Sequence, residues 1–128
     1  MSTTKAAAAT TARPWPTELR LKKSERVLEV DFDDGNTFAI SAELLRVESP
    51  SAEVQGHGSG QKKTVPGKRA VAIEKVEPVG TYAVRLIFSD SHDSGLFTWD
   101  YLHELGRDAD AKMDAYLSAL DEKGLSRD

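Results

Sequence analysis

Three histidines, one of them set between two aspartates, are the side chains of this sequence whose chemistry first suggests a site. His92 stands between Asp90 and Asp93, a group that can bind a divalent metal weakly. His57 and His103 can complete such a site only if folding brings them close to His92. Aspartate is also common in turns, because its side chain accepts hydrogen bonds from the nearby backbone. The pattern favours a turn, with metal binding by His92 and Asp90 as the alternative.

A catalytic role for His92 with Asp90 or Asp93 requires a nucleophile and an oxyanion site. Neither can be recognised in the sequence. Without a reaction signature, we predict a protein that is not an enzyme and that needs no cofactor. A metal-binding protein or metal-dependent enzyme that uses His92, with zinc or iron as the metal, is the alternative hypothesis.

A glycine-rich segment, residues 56–67, invites comparison with phosphate-binding loops. A P-loop requires a second glycine five residues after the first, but Gln61 occupies that position. The segment is therefore predicted to be a long loop that is solvated or contacts a partner. His57, Lys62 and Lys63 are its candidate contact residues, since a basic cluster can meet an acidic partner.

Large aromatic residues gather in the second half of the chain, at Phe97, Trp99 and Tyr101. Aromatic side chains beside a short helix commonly pack it against a sheet. Trp99 and Tyr101 are also candidates for a partly exposed surface that contacts another protein.

The composition excludes several functional classes. The chain has 128 residues, 39% hydrophobic and 30% charged, which fits one globular domain with a modest core. A net charge of −4 argues against general nucleic-acid binding. The absence of cysteine excludes disulfides and thiolate metal sites. No apolar run approaches the roughly 18 residues of a membrane-spanning helix. We therefore expect a cytoplasmic protein, monomeric or weakly dimeric.

Composition also divides the chain. Residues 1–16 are rich in alanine and threonine and begin with a stretch that contains no acid, which predicts a disordered tail. Residues 17–122 are predicted to form the domain, and residues 123–128 a short C-terminal tail.

Two segments of the domain share one plan. Residues 27–32 alternate in polarity, a turn at Asp33–Asn36 follows, residues 37–40 return as a strand, and Ser41 can cap a helix. The second copy has a strand at residues 82–88, a turn at residues 89–94 and a strand at residues 95–97, and Thr98 can cap its helix. Matched pairs are Phe32 with Phe88, Asp34 with Asp90, Ser41 with Thr98, Glu43 with Asp100, and Leu45 with Leu102.

The remaining patterns complete the prediction. Residues 71–79 indicate a further strand, and Gly106 is expected to end the second helix. A final amphipathic helix carries an apolar stripe and ends near Gly124; the stripe consists of Ala109, Met113, Tyr116, Leu117 and Leu120. We predict a two-layer α+β fold, with an antiparallel sheet built from two hairpin-plus-helix units and a C-terminal amphipathic helix.

Two stretches resemble a known family. They are LRVESPSAEVQGHG, residues 45–58, and GTYAVRLIFSDSHDSGLFTWDYLHELG, residues 80–106. Together they look like small bacterial proteins named after the N-terminal domain of γ-butyrobetaine hydroxylase, once a domain of unknown function. The resemblance covers about residues 17–106.

The resemblance has implications for metals and partners. In the hydroxylases a comparable domain binds structural zinc through a Cys-Pro-Cys-x-x-Cys run and a distant histidine. Here that run falls on Ser49, Ser51 and Val54, and the histidine falls on His92. With all three thiolates missing, the structural zinc is expected to be absent. Similar domains are fused to iron–sulfur carriers, so the resemblance implies a non-enzymatic adaptor whose partner is an iron–sulfur carrier or an oxygenase catalytic domain.

Overall fold

Two antiparallel three-stranded sheets form the framework of the domain in the computed structural model, which describes residues 14–56 and 62–128. The first sheet has the order β1-β2-β3 and the second the order β4-β5-β6. The strands are β1 (Pro16–Lys22), β2 (Val27–Phe32), β3 (Thr37–Ser41), β4 (Ile73–Val79), β5 (Ala83–Phe88) and β6 (Leu96–Thr98).

Four helices lie within the described residues. They are α1 (Ala42–Val47), α2 (Ala52–Gln55), α3 (Trp99–Arg107) and α4 (Ala109–Glu122). The predicted α+β class, the two hairpin-plus-helix units and the C-terminal helix are confirmed. Each unit also has an additional strand, β1 or β4, paired to its hairpin, so that two sheets are present.

The first unit follows from its local sequence. Strand β2 buries Leu28, Val30 and Phe32 on alternate positions, as its period of two requires. Gly35 takes a φ of 90° in the turn, a conformation that costs glycine little. Ser41 then caps α1, since its hydroxyl accepts a hydrogen bond from the N–H of Leu44 at 3.1 Å.

The second unit repeats these features. Thr98 caps α3 by accepting a hydrogen bond from the N–H of Tyr101 at 3.3 Å. Ser91 takes a φ of 73° in the turn, where the first unit has Gly35. The N–H of Phe88 donates to the carbonyl of His92 at 3.0 Å, just as the N–H of Phe32 donates to that of Asn36.

A single hydrophobic cluster joins both units. It contains buried residues of all three larger helices and of five strands, among them Leu28, Ile40, Leu45, Leu86, Phe88, Phe97, Leu102 and Leu120. The two sheets therefore share one core, and neither unit buries its apolar face alone.

Gly106 does not end α3, contrary to the sequence prediction. The helix continues to Arg107 and is capped at Asp108. A Cβ at position 106 would collide with the side chain of Phe38 in β3. Glycine is present here because α3 approaches β3 too closely for any side chain, which outweighs its unfavourable helix propensity.

Two apolar positions also differ from the prediction. Tyr82 was predicted to begin the strand at residues 82–88, but it lies in the β4–β5 turn and is 53% exposed. Leu117 was expected in the buried stripe of α4 and is 36% exposed, whereas Tyr116 and Leu120 are buried. The predicted end near Gly124 is confirmed by its φ of 65°.

Both predicted tails contain residues that contact the domain. The backbone N–H of Trp15 donates to the carboxylate of Asp33, and the backbone N–H of Asp33 donates to the carbonyl of Trp15. Strand β1 then begins at Pro16. Residues 1–13 lie outside the described part of the chain. At the other end, the carbonyls of Ser126 and Arg127 accept hydrogen bonds from the N–H groups of Gly67 and Arg69. Among the described residues, no helix is long and apolar enough to cross a membrane.

Candidate functional site

A buried cluster of two serines and a histidine lies where the connection between α1 and α2 meets the β5–β6 loop. The Nε2 atom of His92 lies 3.0 Å from the hydroxyl of Ser49 and 3.4 Å from that of Ser51. Its Nδ1 atom lies 2.7 Å from a carboxylate oxygen of Glu53. Both ring nitrogens of His92 therefore have protein partners, and its side chain is only 4% exposed.

The positions that the resemblance assigned to zinc do converge. Ser49, Ser51 and His92 meet at the cluster, and Val54 is fully buried. Zinc in proteins is bound by thiolates, imidazoles and carboxylates. Two hydroxyls, an isopropyl group and an imidazole already bonded at both nitrogens do not provide that donor set. The residues present therefore do not fit a structural zinc ion.

Asp90 is bound to cationic side chains. One of its carboxylate oxygens lies 2.8 Å from Nε of Arg46 and 2.6 Å from Nζ of Lys68. The other accepts a hydrogen bond from the backbone N–H of His92 at 3.2 Å. Burial alone would raise the pKa of Asp90, but Lys68, Arg46 and the His92 N–H outweigh it and lower the pKa to about 2.

These contacts bear on the predicted metal ligands. The described residues include no group of three or more histidine, cysteine, aspartate or glutamate side chains arranged to hold a metal. Asp90 already neutralises Arg46 and Lys68, and Asp93 is exposed. His103 lies elsewhere, with Nε2 2.8 Å from Asp34, and His57 is outside the described residues. Metal binding by His92 and Asp90 stays a prediction that this arrangement disfavours.

Two of the predicted partner contacts have structural roles. Lys62 lies 2.6 Å from the carboxylate of Glu48, a side chain that is only 7% exposed. The hydroxyl of Tyr101 donates to the Glu48 carbonyl at 2.5 Å. Burial, with a contribution from Glu48, raises the pKa of Tyr101, so this hydroxyl stays protonated. Lys63 is exposed and lines a cavity of about 240 Å³ beside Tyr116 of α4.

An aromatic cleft of about 190 Å³ lies on the surface near the start of α3. We use this name for the depression lined by Pro14, Trp15, Tyr82, Thr98, Trp99 and Asp100. Trp15 is 50% exposed and Tyr82 is 53% exposed. The predicted contact residue Trp99 is thus part of a larger aromatic surface.

The two indole rings of the aromatic cleft are held by specific contacts. The indole N–H of Trp99 donates to the carbonyl of Thr81 at 2.9 Å. The ring of Trp15 meets that of Trp99 edge to face, with centroids 6.2 Å apart, and its backbone is tied to Asp33. The ring of Tyr82 lies beside Gly80: a Cβ atom added to Gly80 would be 3.0 Å from this ring.

Sequence reasoning missed three residues of these sites. Trp15 was assigned to the disordered tail because of the composition around it, although a tryptophan just before the first strand is a signal for a contact. Tyr82 was predicted only as the first residue of the strand at residues 82–88. Glu53 carries no spacing signal, since it reaches His92 only through the fold.

Comparison with known proteins agrees with this architecture. The family described as gamma-butyrobetaine hydroxylase-like, N-terminal, matches residues 19–103. The chain belongs to this family. No curated protein matches the sequence.

Solved structures of similar proteins extend the comparison beyond the family match. Two solution NMR structures are each 44% identical to this chain and match 91% of it. The match spans 92% and 87% of their own chains, with TM-scores of 0.80 and 0.79. A crystal structure from Acidithiobacillus ferrooxidans ATCC 23270 shows a protein of unknown function in the DUF971 family. It is 45% identical, over 71% of this chain and 91% of that protein, with a TM-score of 0.61.

Proposed function

We propose that this protein is a non-enzymatic binding module that contacts a partner protein through the aromatic cleft. The observation that carries the proposal is the exposure of Trp15 and Tyr82 beside Trp99. Tryptophan and tyrosine are enriched among the residues that dominate protein interfaces. Because the two indole rings are held by contacts within the domain, their side chains would lose little entropy when a partner binds.

The buried cluster supports a role other than catalysis. Ser49, His92 and Glu53 have the order of a nucleophile, a base and an orienting acid, with separations of 3.0 and 2.7 Å. However, Ser49 has no exposed surface, and Gly95 packs directly against its hydroxyl. A substrate carbonyl cannot approach a nucleophile covered in this way. The cluster is better suited to holding two loops together.

The similarity of the chain to hydroxylase-type domains suggests the class of partner. We infer an iron–sulfur carrier or the catalytic domain of an oxygenase, since similar domains occur beside both. Cytoplasmic residence is consistent with a chain that contains no cysteine. The acidic net charge of −4 favours a partner with a basic surface.

Affinity capture with the immobilised full-length chain tests this proposal. We expect native lysate to yield a stoichiometric protein that mass spectrometry identifies as an iron–sulfur carrier or an oxygenase. Capture should be lost with Tyr82→Ala and retained with Leu117→Ala, which removes an exposed apolar side chain from α4. Equal capture by both variants, or a small-molecule-processing activity without a stable protein partner, would contradict the proposal.

A further inference from the structure

The lining of the aromatic cleft has a definite electrostatic character. Its six residues include no lysine or arginine, and its one ionisable acid is Asp100. The faces of aromatic rings carry partial negative charge, which attracts cations placed over them. A concave surface of three such rings with a carboxylate at its edge is complementary to an organic cation.

The polar groups and ring orientations of the aromatic cleft indicate which kind of organic cation fits it. The indole N–H of Trp99 is already donated to Thr81, so it is not available to an incoming acceptor. The edge-to-face pair of Trp15 and Trp99, with an interplanar angle of 67°, offers ring surfaces in two directions. The aromatic cleft thus offers ring surfaces on which a flat cationic group can stack.

We propose that the aromatic cleft binds an arginine side chain of the partner protein, an inference that rests on the proposed function. A guanidinium is planar, always charged and weakly hydrated, so it stacks on tryptophan and tyrosine at a small desolvation cost. A lysine ammonium is compact and strongly hydrated, and it loses more hydration in such a cleft. Arginine is also common among the residues that dominate interfaces.

Small probes can test this assignment because the chain contains only two tryptophans, both of which line the aromatic cleft. The indole N–H signals in NMR spectra of the full-length protein therefore report on this site alone. We expect N-acetyl-arginine amide to shift both signals in a saturable titration. N-acetyl-citrulline amide, which has nearly the same shape but no charge, should produce little shift.

Selectivity and salt dependence sharpen the test. N-acetyl-lysine amide and tetramethylammonium should bind more weakly than the arginine probe. Binding should weaken when ionic strength rises from about 0.01 M to about 1 M, because screening becomes effective within a few ångströms. Tyr82→Ala should weaken the arginine probe roughly fivefold, while Leu117→Ala should leave it unchanged. Equal binding of citrulline, lysine or tetramethylammonium, or no saturable shift, would overturn the assignment.

Failure of this inference can be distinguished from failure of the proposed function. If partner capture depends on Tyr82 but arginine binds no better than citrulline, the aromatic cleft is a protein contact of another chemistry. If capture is independent of Tyr82, the proposed function itself is wrong. The integrity of Tyr82→Ala is checked by the dispersion of its NMR spectrum, since Tyr82 lies in a turn outside the core.

Discussion

At the scale of single residues, His92 forms hydrogen bonds at the position that the resemblance assigned to zinc. It connects Ser49 and Ser51 on one side with Glu53 on the other, and Val54 is fully buried. A structural zinc ion would contribute binding energy to folding. Because the hydroxyl–imidazole network connects the same segment through hydrogen bonds, we expect folding to proceed without a metal.

We therefore predict that thermal melts of the wild-type protein coincide with and without a strong chelator. His92→Ala should lower the free energy of unfolding by about 1–3 kcal/mol, because it leaves two buried hydroxyls without this partner. Asp93→Ala, an exposed neighbour, serves as the matched control and should change little. Melting is followed by circular dichroism.

Opposite results would restore a metal site. A melting temperature that falls by many degrees on chelation, and that becomes insensitive to chelator in His92→Ala, would show that His92 binds a metal. Elemental analysis of protein purified without chelators or affinity tags would then identify the ion.

The sequence predicted the cluster better than the aromatic cleft. The resemblance assigned positions 49, 51, 54 and 92 to one site, and the structure brings positions 49, 51 and 92 into hydrogen-bond distance. The aromatic cleft combines residues from the segment before β1, the β4–β5 turn and the start of α3. No periodicity or spacing relates such residues, because their proximity arises only when the two sheets share a core.

At the scale of elements, the two units exchange matching contacts. Asp34 in the first turn pairs with His103 of α3, and Asp90 in the second turn pairs with Arg46 of α1, each at 2.8 Å. Arg46 and His103 directly follow the matched leucines Leu45 and Leu102. Each aspartate also accepts the backbone N–H of the residue two positions later. The turn of each unit is thus bound to the helix of the other.

Close packing is reciprocal in the same way. Gly106 of α3 lies against Phe38 of β3. Gly95, which precedes β6, lies against Ser49, which follows α1. Strand alternation and helix caps predicted the hairpin and the helix start of each unit, since these signals are local. The exchange between units could not be predicted, because a charged residue at a helix surface does not indicate which turn it will meet.

The second of these ion pairs leads to a prediction of pH dependence. The pKa of Asp90 lies at about 2, below its ordinary value of 3.8. A lowered pKa stabilises the fold above the ordinary value, and this contribution is lost as the pH falls towards the folded value. We expect Asp90→Asn to cost about 2 kcal/mol at neutral pH, and the difference from wild type to shrink between about pH 4 and pH 2.

Urea denaturation across this pH range provides the measurement. Asp93→Asn is the control, since it removes an exposed carboxylate of the same turn and should leave the acid dependence unchanged. A difference between Asp90→Asn and wild type that stays constant down to pH 2 would show that the ion pair with Arg46 and Lys68 contributes nothing to acid sensitivity.

At the scale of the whole molecule, the C-terminal segment is hydrogen-bonded to the connection between the two units. Residues 62–72 contain no strand or helix, and they are held by the end of the chain. The carbonyls of Ser126 and Arg127 accept hydrogen bonds from this connection, and Tyr116 of α4 donates to the Val65 carbonyl at 2.6 Å. The sequence predicted where α4 ends, but the four residues after Gly124 carry no pattern that predicts a return to the core.

Arg127 adds an ion pair to these contacts of the C-terminal segment, and its substitution gives the last prediction. Its guanidinium forms two hydrogen bonds, at 3.0 and 2.6 Å, with the carboxylate of Glu43, which is 7% exposed. Glu43 lies in the first turn of α1, so the end of the chain neutralises an acid next to the core. We expect Arg127→Ala to lower the free energy of unfolding by about 2 kcal/mol, less than the cost of breaking a fully buried pair because Arg127 is partly exposed.

A double-mutant cycle separates the ion pair from other effects of truncating Arg127. Glu43→Ala with Arg127→Ala should cost less than the sum of the two single changes, because the double variant leaves no buried charge without a partner. Arg107→Ala is the matched control, because its pair with Asp108 is exposed and should contribute little to stability. Additive losses in the cycle, measured by urea denaturation at neutral pH, would mean that Arg127 acts through packing alone and that the C-terminal segment closes the domain without help from its charge.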